Sequence, residues 1–217
     1  IARSIGTLGK IVRSGYAGEI PETVLDLFAS TPEDGPEVFD SFIYFVEGLP
    51  DASEFFTDLS QRGIIDSIYR AIDDDRDDRS GNSYKLLTII HFTTDDSNFW
   101  GLTFQKLKGL SQFYTKQNII YYLSSIIDVK SSGLLQSLAE NDVFEVVDQL
   151  LSSHNLDVVL ICLSFIEKVL DCYSAAFQVN PSEFPNADII INDLNEMQVV
   201  INEEVDQSIA RILEKYQ

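Results

Sequence analysis

The stretch from Thr115 to Ile126 reads TKQNIIYYLSSI. It has the pattern of an amphipathic helix whose apolar stripe carries a phenol at Tyr121 and a hydroxyl one turn later at Ser125. Residues at i and i+4 stand on one helix face, so the two are either filler in a helix seam or a binding pair. Catalytic chemistry has no comparable candidate. There is no GxSxG, HExxH, Walker-type glycine loop or Cys/His nucleophile constellation. Cys162 and Cys172 lie in one apolar helical run without CxxC or metal spacing. They read as reduced, buried thiols in a reducing compartment. His91 and His154 have no His or Cys at ligand spacing and read as core or surface histidines. The carboxylates fall on loops and exposed helix faces rather than in apolar pockets that would shift their pKa. No catalytic residue, metal site or cofactor is expected.

The elements that must position Tyr121 and Ser125 are helices. The chain has 217 residues with 45% hydrophobic and 11% aromatic content, enough for a packed core. No apolar run reaches the roughly 18 residues of a membrane span. No signal peptide is expected, and the first residue, Ile1, reads as the start of a fragment. A net charge of -20 argues against nucleic acid and anionic membranes. It favours basic partners through long-range steering, with solubility alone as the alternative.

Nearly every segment shows the helical period. Pro21 opens a helix over Ile20 to Ala29. Val38, Phe39, Phe42, Phe45 and Val46 form the stripe of the next. Asp51 to Arg62 follows, broken by Gly63, then Ile64 to Ile72. Asp73 to Ser83, DDDRDDRSGNS, reads as a charged, solvated, mobile loop able to attract basic groups. Further helices are expected over Tyr84–Phe92, Leu102–Ser111, Lys116–Asp128, Leu134–Glu140, Phe144–Ser152 and Asp157–Tyr173. Asn180, Pro181 and Pro185 break the pattern before short terminal helices. The helices group as triplets whose third members centre near Gly6, Ile43, Lys85, Tyr121, Ser164 and Ile209, a step of about 36 to 45 residues, the period of armadillo or HEAT units. Stacked units would share one core and line a concave, acidic face with their third helices. The expected fold is all-α, an armadillo-type right-handed α-solenoid of stacked three-helix repeats. It is read as one domain over residues 1–217, with about five to six repeats, the first partial and the last over about 186–217. A globular helical bundle is the alternative.

Three places resemble the importin-alpha (karyopherin-alpha) family, whose repeats read approximately TKKEACWAISN and later VCLEGLENIL. Here TKQNIIYYLSS (Thr115–Ser125) and ICLSFIEKVL (Ile161–Leu170) stand in that order. The family's ALRAVGNIVTGDD is matched by SYKLLTIIHFTTDD (Ser83–Asp96). Its closing EDIYKKAYKIIEKYF is matched by EEVDQSIARILEKYQ (Glu203–Gln217), after NADIIINDLNEMQVV. In this family each third helix presents a Trp and, four residues on, an Asn. The rings grip Lys or Arg stems by cation–π packing and the Asn side chains bond the peptide backbone.

The resemblance places Tyr121 where the Trp stands and Ser125 where the Asn stands. Gly6 and Lys10, Ile43 and Glu47, and Ser164 and Lys168 fall at the matching positions elsewhere. Lys85 and Ile89 match the repeat where the family has Arg in place of Trp, and Asp95 and Asp96 match its acidic pair. It therefore implies a degenerate peptide groove using Tyr121, Ser125, Lys85, Asp95, Asp96 and Glu47. It implies an export-factor contact of the CAS type at Asn195, Glu196, Glu203 and Arg211. Further implied are basic nuclear-localisation peptides as cargo, importin-beta binding through an N-terminal Lys/Arg-rich arm absent from this sequence, and residence in cytoplasm and nucleus. Lys10 and Lys168 would repel a basic peptide. The function so implied is a non-enzymatic nuclear import adaptor. The alternative is a generic armadillo or HEAT scaffold without nuclear-localisation-signal binding. Trp100, outside the motif, is expected to be a core or inter-helix residue. Tyr121 itself is expected to be an ordinary seam aromatic, so that Tyr121→Ala lowers stability more than peptide affinity.

Overall fold

The computed structural model describes residues 25–26, 36–49, 52–74, 76–109, 113–153, 155–197 and 202–216. Gly6, Lys10, His154 and most of the expected helix over 20–29 lie outside them. Among the described residues there are eleven α-helices and no strand. They are α1 (Pro36–Val46), α2 (Ala52–Ser60), α3 (Ile64–Asp73), α4 (Asp77–Ile89), α5 (Ser97–Lys108), α6 (Phe113–Ile126), α7 (Ser132–Glu140), α8 (Val143–Leu151), α9 (Leu156–Phe177), α10 (Ala187–Glu196) and α11 (Glu203–Tyr216), with a 3-10 turn at Pro181–Glu183. The chain forms two compact units, residues 1–122 and 123–217.

One backbone device recurs along the chain. Gly63 before α3, Asp142 before α8 and Asn186 before α10 each take left-handed φ, at 85°, 48° and 63°. Each joins a short first helix, or the 3-10 turn, to a second helix. Gly adopts this region without steric penalty, and Asn and Asp tolerate it better than other residues. A third helix follows in each case: α4, α9 and α11. Among the described residues the triplet is incomplete at α5 and α6, where residues 90–96 form a turn and irregular backbone instead of a first helix.

In the first unit α4 packs on α1 and α3, α5 on α3, and α2 on α3. The expected stripe of α1 is buried at Phe39, Phe42, Phe45 and Val46, with Ile43. Further along, Phe99 sits among rings, with centroids of Trp100, Tyr69, Phe92, Tyr122 and Tyr84 at 5.1, 5.4, 6.0, 6.0 and 6.5 Å. Such contacts add about 0.5–1.5 kcal/mol each beyond burial. Their polar tips are satisfied: the Tyr84 hydroxyl donates to Thr103 Oγ1 (3.0 Å) and that of Tyr122 to the Phe92 carbonyl (2.9 Å). Burial pushes both phenols well above their ordinary range. Trp100 donates Nε1–H to the Thr94 carbonyl (2.9 Å) and stacks on Tyr122, the inter-helix role expected of it.

The segment read as a mobile loop is not one. Helix α4 begins at Asp77, and Ser80, Gly81, Asn82 and Ser83 are all buried in it. Asp77 and Asp78 occupy its first turn, where carboxylates interact favourably with the helix dipole. Just before it, the Asp74 carboxylate accepts from Arg76 and Arg79, and the Arg76 backbone N–H chiefly holds its pKa low. The small residues serve close packing. A Cβ on Gly81 would lie 2.4 Å from Tyr114 Cδ1 on α6.

In the second unit α9 is the hub, packed against α7, α8, α11 and the 3-10 turn. Its 22 residues bury Val158, Val159, Cys162, Leu163, Phe165, Ile166, Val169, Leu170 and Cys172. Asn155 caps its start by accepting from the Asp157 N–H (3.0 Å). Both cysteines are free and buried. Burial pushes the Cys162 thiol up to about 12 and raises that of Cys172, so neither is a ready nucleophile. The terminal helix is held by Arg211–Glu167 (3.0 Å) and Lys215–Asp171 ion pairs and by the Tyr216 hydroxyl, which donates to Asp171.

Two packing features generate predictions. Gly81→Ala is expected to destabilise the protein by about 1–3 kcal/mol in urea unfolding, and much less in a Tyr114→Ala background, because the clash is with that ring. Asp148 on α8 faces Asp193 on α10, and burial first, then the Asp193 charge, raises the Asp148 pKa. The native state thus holds this proton more tightly than the unfolded chain, and stability falls as pH rises through the raised pKa. Asp148→Asn is expected to melt above the wild type at pH 7 in thermal scans. The difference should shrink as pH drops toward the ordinary carboxyl pKa of about 4.

Candidate functional site

The third helices of the first unit carry a shared polar face. On α1, helical spacing puts Asp40, Tyr44 and Glu47 outward, opposite the buried Phe39, Phe42 and Phe45. On α4 the same spacing brings Asn82 and Lys85 toward α1, and on α6 it brings out Tyr114 and Tyr121.

Asn82 joins the three helices. Its side chain is buried, its Nδ2 donates to Asp40 Oδ1 (2.6 Å), and its Oδ1 accepts from the Tyr114 hydroxyl (2.8 Å). Burial raises the Tyr114 phenol pKa, followed by the Asp40 charge. Asp77 of α4 caps α6: its carboxylate accepts from Thr115 N–H (2.8 Å) and Tyr114 N–H (3.3 Å), and its carbonyl accepts from Thr115 Oγ1 (3.1 Å). This cap lays the Tyr114 ring over Gly81. Further along the face, Lys85 Nζ lies 3.2 Å from Glu47 Oε1. Both groups are partly exposed, so the pair contributes at most about 1 kcal/mol and can exchange partners readily.

Tyr121 is 50% exposed, while Ile119, Ile120, Tyr122 and Leu123 around it are buried. The expectation of a seam aromatic is therefore wrong. The buried stripe of α6 runs through its neighbours, and Tyr122 takes the core position instead. Ser125 stands half-buried one turn beyond Tyr121 on the same helix. Ile43, at a Trp-matching position, is core at 2% exposure. Ser164 is exposed, and Ile89 is half-buried. The Lys168 ammonium donates to the Ser124 carbonyl in the last turn of α6. It is thus committed to a helix end, where a cation is stabilising, rather than presented as a free repulsive charge.

Asp95 is exposed, whereas Asp96 caps α5 by accepting from the Asn98 N–H (2.9 Å). The four terminal candidates scatter over two helices. Asn195 donates to the Ile191 carbonyl (3.1 Å) and Glu196 is exposed at the end of α10. Glu203 accepts from Gln207 (3.2 Å) in the first turn of α11, and Arg211 is tied to Glu167. Asp40, Asn82 and Tyr114 were not among the sequence candidates. Their signal was the Gly81–Asn82 pair inside a segment otherwise read as loop.

Among the described residues no group of three His, Cys, Asp or Glu side chains is placed to hold a metal ion. No described helix is long and apolar enough to cross a membrane.

No protein-family model matches the chain, and no curated protein matches it. Solved structures do. A designed armadillo repeat protein superposes over 100% of this chain and 93% of its own, with 16% identity and a TM-score of 0.67. A computationally designed armadillo repeat protein for modular peptide recognition covers 99% and 92%, with 15% identity and a TM-score of 0.64. A third, a designed armadillo repeat protein in complex with the peptide (KR)4, covers 100% and 91%, with 14% identity and a TM-score of 0.64. The fold is all-α and of the armadillo-solenoid class.

Two substitutions separate the roles on this face. Tyr121→Ala is expected to change unfolding free energy by no more than about 0.5 kcal/mol, as for an exposed position. Asn82→Ala is expected to lower it by about 1–3 kcal/mol, because Asp40 and Tyr114 lose their partner. Equilibrium denaturation of both variants checks this.

Proposed function

We propose that the protein is a non-enzymatic binding scaffold that holds an extended peptide, or an extended segment of a partner protein, on the α1–α4–α6 face of its first unit. The observation that carries this reading is the exposed ring of Tyr121 on a face shared with Asp40, Glu47 and the network-held Tyr114. Exposed rings take the aliphatic stems and cationic heads of Lys or Arg, and carboxylates pair with the heads. A net charge of -20 steers basic partners in. The buried Asn82 bridge pre-organises the face, so less ordering is paid for on binding.

Supporting the basic-peptide chemistry, one structural neighbour was solved in complex with (KR)4. The finer reading follows from the sequence resemblance alone. It is an importin-alpha-like adaptor of residues 1–217 as one armadillo-repeat domain, loaded with nuclear-localisation peptides, partnered by importin-beta and a CAS-type export factor, and moving between cytoplasm and nucleus. The Tyr and Ser that replace Trp and Asn in its one recognisable pair favour the generic scaffold over it.

Fluorescence anisotropy with labelled (KR)4 tests the proposal. Binding should weaken steeply as salt rises. Tyr121→Ala should reduce affinity about two- to fivefold, the size of an exposed cation–π contact, without a change in melting temperature. Absence of binding at low salt, or an unchanged affinity in the variant, contradicts it. A nuclear-localisation peptide bound no better than its scrambled sequence would leave the scaffold reading and remove the adaptor.

A further inference from the structure

The second unit contains a cavity that the proposed peptide face does not use. It has a volume of about 170 Å³ and lies between α9, the 3-10 turn, α10 and α11. Its apolar lining is Leu170 of α9, Ala187 and Ile191 of α10, and the ring of Tyr216 of α11, with Ser182, Asp188 and Asn192 adding polar groups. Leu170 and Ala187 are themselves 1% and 2% exposed. The Tyr216 hydroxyl is engaged by Asp171 and by the Glu167 carbonyl, which leaves its ring as a wall. The volume is close to the roughly 150 Å³ at which an apolar cavity accepts a benzene-sized group.

Asp188 is the charged side chain among the described lining residues, and it is exposed. Glu183, next in sequence to the lining Ser182, accepts from the Asn180 N–H (3.1 Å). Among the described residues no cation lines the cavity. The cations nearest in sequence to Tyr216, Arg211 and Lys215, are paired with Glu167 and Asp171 of α9.

We propose that this cavity is a second binding site, which takes one bulky apolar side chain of a partner peptide, Leu-sized, carried next to Arg or Lys. The apolar side chain fills the cavity and the neighbouring cation meets Asp188. A branched aliphatic side chain matches the volume and the apolar lining, and the basic neighbour matches Asp188 and the net charge of -20. The site lies wholly within the second unit and is independent of the Tyr121 face.

The test uses the full chain, isotope-labelled, titrated with acetyl-Gly-Leu-Arg-Gly-amide and followed by amide chemical shifts. Saturable shifts are expected at Ser182, Asp188 and Ile191. Replacing the peptide's Leu by Ala should weaken binding about tenfold, the loss of most of a buried side chain's transfer energy. Asp188→Asn should abolish the preference for Arg over Gln in the peptide, and Ser182→Trp, which covers the mouth from an exposed position, should remove the shifts. Shifts absent at millimolar peptide, equal for the Leu and Ala peptides, or persisting in Ser182→Trp would overturn the proposal. So would a sedimentation result showing that a second copy of the chain already fills the cavity. Resonances of Tyr44 and Tyr121 report separately on the first unit, so either site can fail without the other.

Discussion

A single buried amide organises the first unit. Asn82 is buried at 2% exposure, so its polar atoms must find partners. Asp40 from α1 and Tyr114 from α6 supply them, which fixes three helices from different parts of the chain at one point. The absence of a side chain at Gly81 is the companion condition, because only then does the Tyr114 ring come close enough to reach Asn82. A buried amide bonded on both its oxygen and its nitrogen favours one arrangement of the helices that supply its partners. Everything exposed on that face, Tyr44, Glu47, Lys85 and Tyr121, is positioned by helices that this amide holds together.

The repeat is built differently from its packing. Left-handed residues at Gly63, Asp142 and Asn186 turn the chain between first and second helices. The long third helix then brings its own apolar stripe, as in α9, to the shared core of its unit. Where the first helix is missing, before α5, the aromatic cluster around Phe99 fills the space with rings from α3, α4, α5 and α6. The 3-10 turn at Pro181–Glu183 stands where the preceding repeat has α7, and it lines the cavity beside α10 with Pro181 and Ser182.

Much of the fold was legible because helical burial writes its period into the sequence. The stripe Phe39, Phe42, Phe45, Val46 and the apolar run of α9 allowed no other reading, and Gly63 marked the break between α2 and α3. The segment from Asp77 to Ser83 was not legible. Charges, Gly and Asn are the residues of solvated loops, and the same residues serve a helix whose first turn wants acids and whose middle must be small. Tyr121 failed for a related reason. Two adjacent tyrosines, Tyr121 and Tyr122, lie about 100° apart on a helix, and only the packing of α5 and its Trp100 decides which of them is core. The bridging role of Asn82 was invisible because its partners lie far away in sequence. The structural neighbours, all below 17% identity, share the fold, so the chemistry of this face rests on its own residues.

Hydrogen exchange measured residue by residue, with and without (KR)4, addresses the central claim most directly. If the face locked by Asn82 receives the peptide, amides at the exposed ends of α1, α4 and α6 slow on binding while those of α10 and α11 do not change. Slowing confined to residues 187–216, or spread evenly over the chain, would contradict a peptide-binding face on the first unit.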